Sequence, residues 1–121
     1  MKKWKSIIKT GKTSQLNFII HEEAVFYSPI VFTPQKGKKL VLKYLTAAVN
    51  VFKESWFKYI NELKSKDQVY AEFSASLKGI EINGIDYIRV ENNLIKEFKV
   101  FLRPLKGIEV VWLEMKKALG N

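Results

Sequence analysis

Asp86 is a carboxyl group set into a row of apolar residues. In the segment EINGIDYIRV, 81–90, every second residue from Ile82 onward gives Ile82, Gly84, Asp86, Ile88 and Val90 on one face. An acid on the oily face of a sheet has lost its water. Without a cation beside it, its pKa rises and it keeps its proton. A protonated carboxyl donates a hydrogen bond, which suits it to hold an oxyanion or a carbonyl oxygen. The same residue also has a purely structural use, because a buried Asp that accepts from Trp4 or from a backbone N–H fixes the core.

Other chemistry is thinly supplied. There is no cysteine, so there is no disulfide framework, thiol nucleophile or Cys-ligated metal, and the single histidine, His21, cannot build a His-based metal site alone. No metal and no cofactor is implied. A Ser28–His21 pair, with Glu22 or Glu23 orienting the ring, is the one nucleophile and base arrangement the chain offers. The odd spacing between 21 and 28 puts the two on opposite faces if the strand extends back, and a lone His at a helix end also serves as a C-terminal cap. Glu72 and Glu97 fall by parity on the outer face, where a carboxylate suits an ion pair.

Short helices are expected over 3–10, with Trp4, Ile7 and Ile8 on one side and Gly11 as the stop, and over 14–20, with Thr13 as N-cap and Leu16, Ile19 and Ile20 inward. A short strand over 24–28 ends at Pro29, and an irregular link through Pro34 and Gly37 leads to a helix over 38–52 whose Val41, Tyr44, Leu45, Ala48, Val51 and Phe52 make a broad inward stripe. Period two then takes over, with strands over 55–63, 69–77, 81–90 and 94–103 joined by tight turns into an antiparallel meander. Phe98, Val100 and Leu102 form the apolar face of the last strand. Pro104 opens a final helix with Ile108, Val111, Trp112, Met115 and Leu119 inward and Glu109, Lys116 and Lys117 in water. Helices followed by a meander give an α+β domain spanning 1–121, with helices packed on one face of a curved sheet. Phe26, Phe32, Tyr44, Phe73 and Phe98 are aromatics of the core or of a cavity in it.

The net charge of +9 raises the question of a nucleic-acid partner. Of 21 basic residues only Arg89 and Arg103 are arginine, and the lysines are scattered, which reads as a solvated surface and not as a phosphate-binding patch. After the basic start the apolar stretch is only Ile7-Ile8, far short of an export or membrane segment, so a cytoplasmic protein without a membrane partner is expected. On the outer sheet face, Tyr70, Glu72, Ser74, Tyr87, Arg89, Glu97, Lys99, Phe101 and Arg103 combine aromatics with both charges, which suits a homodimer contact across a two-fold axis.

Trp4 through Pro29, the helix after Gly37, and GIDYIRV followed by a turn and a strand ending FLRPL together resemble the nuclear transport factor 2-like superfamily, which includes ketosteroid isomerase-like and SnoaL-like polyketide cyclase proteins. The resemblance spans nearly the whole chain. It implies a cone-shaped α+β barrel of cystatin-like fold: N-terminal helices packed on a strongly curved, mainly antiparallel sheet, a C-terminal helix, and an apolar pocket inside. Asp86 looks like the protonated aspartic acid of the isomerase oxyanion hole. The tyrosine of that hole falls on Trp4, which offers an N–H, and the isomerase general base falls on Ser28, before Pro29. A serine cannot abstract a carbon-bound proton without a base of its own. The resemblance therefore implies the pocket and counts against that isomerase chemistry. The expected lining is Trp4, Phe26, Ser28, Phe32, Tyr44, Phe73, Asp86, Ile88, Phe98 and Val100, around an apolar small molecule. Two other roles compete with binding: an isomerase, cyclase or hydratase with Asp86 as donor and Ser28 placing a water, and a dimeric protein-interaction module.

Overall fold

The computed structural model describes residues 1–53 and 55–120. Helix α1, Lys2–Thr10, buries Trp4, Ile7 and Ile8. It stops at Gly11, whose left-handed φ of 75° lets its N–H reach the Ile7 carbonyl at 2.8 Å. A single 3₁₀ stretch, Thr13–Phe18, replaces the expected second helix, and strand β1, Ile20–Tyr27, begins well before residue 24. Leu16, Ile19 and Ile20 are buried as expected, but by a tight turn entering a strand. Strand β2 is the two-residue Gln35–Lys36, inside the segment expected to be an irregular link.

Helix α2, Lys38–Phe52, has the expected bounds and buries Val41, Leu45, Val49 and Phe52. Strands β3, Trp56–Ser65, β4, Gln68–Leu77, β5, Ile80–Glu91, and β6, Leu94–Arg103, form the meander. Its tight turns fall where residues accept positive φ, at Lys78-Gly79 and at Asn92-Asn93. Helix α3 is Leu105–Ala118.

The strand order β2-β1-β6-β5-β4-β3 makes one open, curved, mixed sheet. All neighbours are antiparallel except β1 and β6, which run parallel. Register shifts interrupt β1–β6, β3–β4 and β5–β6, and such irregularities bend a sheet. Asp86 pairs with Ala71 on β4 and Val100 on β6, so it stands mid-strand in the interior of the sheet. The inward parity holds along β5: Ile82, Gly84, Asp86 and Ile88 are buried. The helices pack on this same face, with Val41 and Leu45 of α2 in one cluster with Ile88 and Phe98, and Val111 of α3 in another with Ile82 and Phe73.

Gly84 sits where two packed groups converge. A Cβ there would lie 2.5 Å from the Phe101 carbonyl oxygen and would overlap the Phe73 ring. The absence of a side chain leaves room for the Phe73 ring against β5, two register pairs from Asp86.

Candidate functional site: an acid at the base of an apolar cavity

Between α2, α3 and the concave face of the sheet lies a cavity of about 380 Å³. Its deep wall is apolar and aromatic: Trp4 from α1, Phe26 from β1, Leu45 from α2, Phe73 from β4 and Phe98 from β6 are all buried and all line it. The rings hold one another in place. Trp4 meets Phe98 edge-on with centroids 4.9 Å apart, and Phe26 stacks on Tyr44 at 5.7 Å.

Asp86 is the acid in this lining and is only 5% exposed. No cation is paired with it among the described residues. Burial raises its pKa to about 7, while a hydrogen bond from Tyr59 works in the opposite direction. The carboxyl therefore changes protonation state near neutrality.

Its neighbour is Tyr59, on the inward face of β3. The Tyr59 hydroxyl donates to Asp86 Oδ2 and accepts from Trp4 Nε1 at 2.7 Å. Burial, and then the charge of Asp86, push the Tyr59 pKa well above its ordinary value, so the phenol stays a donor. The second carboxyl oxygen has no protein partner among the described residues. Since none of their sealed-off side-chain nitrogens or oxygens lacks a partner, that oxygen retains access to the cavity that Asp86 lines. The chain of hydrogen bonds thus leaves one carboxyl oxygen of Asp86 facing the cavity.

Trp4 and Asp86 both line the cavity, but Trp4 donates to Tyr59 and not to Asp86, so the two are linked only through the Tyr59 hydroxyl. Tyr59 escaped the sequence reading. Four of the five residues from Trp56 to Ile60 are apolar or aromatic, so the sequence does not mark which parity turns inward; only the folded sheet leaves Trp56, Lys58 and Ile60 exposed and turns Phe57 and Tyr59 in. Phe26, Ser28, Tyr44, Phe73, Phe98 and Val100 line the cavity. Ile88 does not: it is fully buried in the core beside it. Phe32 is wholly exposed, because the turn after Pro29 carries it out of the fold while Ile30 and Val31 face the opening.

Ser28 reaches the cavity with its oxygen already engaged. Oγ accepts from the N–H of Ile30 at 2.9 Å and of Val31 at 3.4 Å, which fixes the turn at the cavity edge. His21 is not its partner. Nδ1 of His21 accepts from the Glu23 N–H at 2.9 Å and Nε2 lies 3.2 Å from Glu91. Seven positions of mostly extended chain, roughly 20 Å, separate it from Ser28. The Ser28–His21 pair does not form. Glu97 is an ion-pair partner, 2.5 Å from Arg89 Nε.

No protein-family model and no curated protein matches the sequence. Among solved structures, the chain is similar to a steroid delta-isomerase from Pseudomonas aeruginosa, with 33% identity over 98% of this chain and 88% of that one and a TM-score of 0.90. An uncharacterised protein with a cystatin-like fold from Silicibacter pomeroyi aligns at 22% identity over 95% of this chain and 78% of that one, with a TM-score of 0.79. A nuclear transport factor 2-like protein of unknown function from Mesorhizobium loti aligns at 14% identity over 86% and 88%, with a TM-score of 0.77. The fold is a cystatin-like α+β architecture, with helices packed on a curved sheet. The chain belongs to the nuclear transport factor 2-like superfamily. No helix among the described residues is long and apolar enough to cross a membrane.

Proposed function

We propose that the protein binds an apolar small molecule carrying a ketone or comparable oxygen acceptor, with Asp86 in its protonated form donating to that oxygen. The observation that carries the reading is the pairing of an apolar, aromatic cavity with one uncompensated carboxyl whose free oxygen has access to it. The cavity volume falls in the range of small-ligand sites, and a few convergent polar groups in an apolar pocket are what such sites use to orient a guest. Tyr59 and Trp4 act behind Asp86, fixing its orientation.

Calorimetric titration with 4-phenylcyclohexanone tests it. Wild type and Asp86→Asn bind, since both offer a donor, and Asp86→Ala loses up to about tenfold in affinity, the range of one hydrogen bond. Equal affinity for all three would remove Asp86 from the site.

Isomerase-type proton transfer is a second reading, favoured by the 33% identity with a steroid delta-isomerase. Ser28 cannot serve as its base while capping the turn without a base of its own. The proton would then move through Asp86, whose pKa of about 7 suits both taking and returning it. Turnover of a β,γ-unsaturated cyclic ketone that rises as pH passes 7 and vanishes in Asp86→Asn would establish this role. No turnover would leave binding alone.

Pairing of two copies through the outer sheet face belongs to the same proposal. Tyr70, Ile85 and Phe101 are exposed together there, with Ile85 directly opposite Phe101 across β5–β6.

A further inference from the structure

We infer that the ligand is amphipathic and that its far end carries a carboxylate recognised by Lys116 at the cavity mouth. The inference rests on the reading of the cavity as a ligand site and adds the chemistry of the ligand's second end.

The lining has a direction. Phe73, Phe98, Trp4 and Asp86 are buried, whereas Val31 is 43% and Trp112 40% exposed, so the cavity opens between the turn after β1 and the second half of α3. Lys116 belongs to that opening. It stands one helical turn from Trp112, i to i+4, and its Nζ is held 5.1 Å from the centre of the Trp112 ring. This differs from the fully solvated position its place in the sequence suggests: it is half-buried and lines the cavity.

Lys116 has no carboxylate within ion-pair distance among the described residues, unlike the next residue, Lys117, which is 3.1 Å from Glu114 and lies outside this cavity. A lysine laid over an aromatic ring at a rim keeps its stem on apolar surface and offers its charge to whatever occupies the mouth. The deep end offers a hydrogen bond, the lining between is mainly hydrocarbon and rings, and the mouth offers a cation. A guest matching all three has an oxygen acceptor at one end, an apolar body, and an anion at the other.

The test uses 4-(4-oxocyclohexyl)benzoic acid and its neutral carboxamide, titrated calorimetrically near pH 6, where the benzoic acid is ionised. The acid binds wild type about fivefold tighter than the amide, in keeping with one partly screened ion pair. That preference disappears in Lys116→Gln and in high salt. It survives in Lys116→Arg and in Lys117→Gln, which separates a local contact from the general attraction of a basic protein for anions. Equal binding of acid and amide to wild type, or a preference that persists in Lys116→Gln, would overturn the role of Lys116 while leaving the cavity a ligand site. If neither compound binds, the ligand-site reading falls and this inference with it.

Discussion

Tyr59 stands between Trp4 and Asp86: its hydroxyl accepts from the indole N–H at 2.7 Å and donates to Oδ2 of the acid. A residue of the edge strand thereby ties the first helix to the centre of the sheet, and it orients the one acid of the cavity lining.

Tyr59→Phe removes a donor to the Asp86 carboxylate and an acceptor from Trp4 at once. The carboxyl loses the interaction that lowers its pKa, so its midpoint moves above 7. The variant also loses about 1–3 kcal/mol of stability, the cost of leaving a buried donor unmatched. Chemical denaturation and a carboxyl titration by NMR measure the two effects. An unchanged midpoint would show that Tyr59 does not tune Asp86.

The raised pKa of Asp86 makes stability depend on pH in a definite direction. The folded state holds the proton up to about pH 7, whereas an unfolded Asp releases it near 3.8, so the folded chain binds more protons between those values. The stabilisation is complete below the lower value and is lost as pH rises through the upper one. By linkage the full span is roughly 3–5 kcal/mol. Asp86→Asn lacks this dependence and gains on wild type as pH rises from 5 to 8. Parallel stability curves for the two proteins would contradict it.

Gly84→Ala places a methyl group against the Phe101 carbonyl and the Phe73 ring, one a backbone atom and the other wedged in the core. Overpacking of this kind costs about 1–3 kcal/mol. Differential scanning calorimetry should show the loss, and Phe73→Leu, which vacates the space, should recover part of it. Full stability of the single variant would mean that β5 and β6 have more freedom than their packing shows.

On the outer face, Phe101→Glu puts a charge into the exposed apolar cluster with Ile85 and Tyr70. Light scattering at micromolar concentration is expected to give a dimer for wild type and a monomer for this variant. A monomeric wild type would leave that face as ordinary surface.

Much of the scaffold was legible because its periods are unambiguous. Fifteen residues from Lys38 to Phe52 repeat at helical spacing and form α2 with those bounds, and the alternation through Ile82, Asp86 and Ile88 places the acid on the inner face. The run from Leu16 to Ile20 misled, because three apolar residues at i, i+3 and i+4 fit a helix as well as a tight turn running into a strand. The parallel pairing of β1 with β6 left no local mark, since it depends on how the chain returns after four more strands. The site was only half visible for the same reason. Asp86 announces itself by being polar in an apolar row, but Tyr59 and Lys116 are ordinary residues of their own elements. They become partners of the cavity only when the sheet curves and α3 lies across its opening.

The proposed binding mode requires Asp86 to carry a proton and to share it in a hydrogen bond with the guest. The direct measurement is the titration of the ¹³C-labelled Asp86 carboxyl by NMR, with and without saturating 4-phenylcyclohexanone. The expected midpoint is about 7 in the free protein, and it rises when the ketone binds, because a ketone oxygen accepts only from the protonated acid. A free midpoint near 4, or one that the bound ketone does not move, would contradict the account.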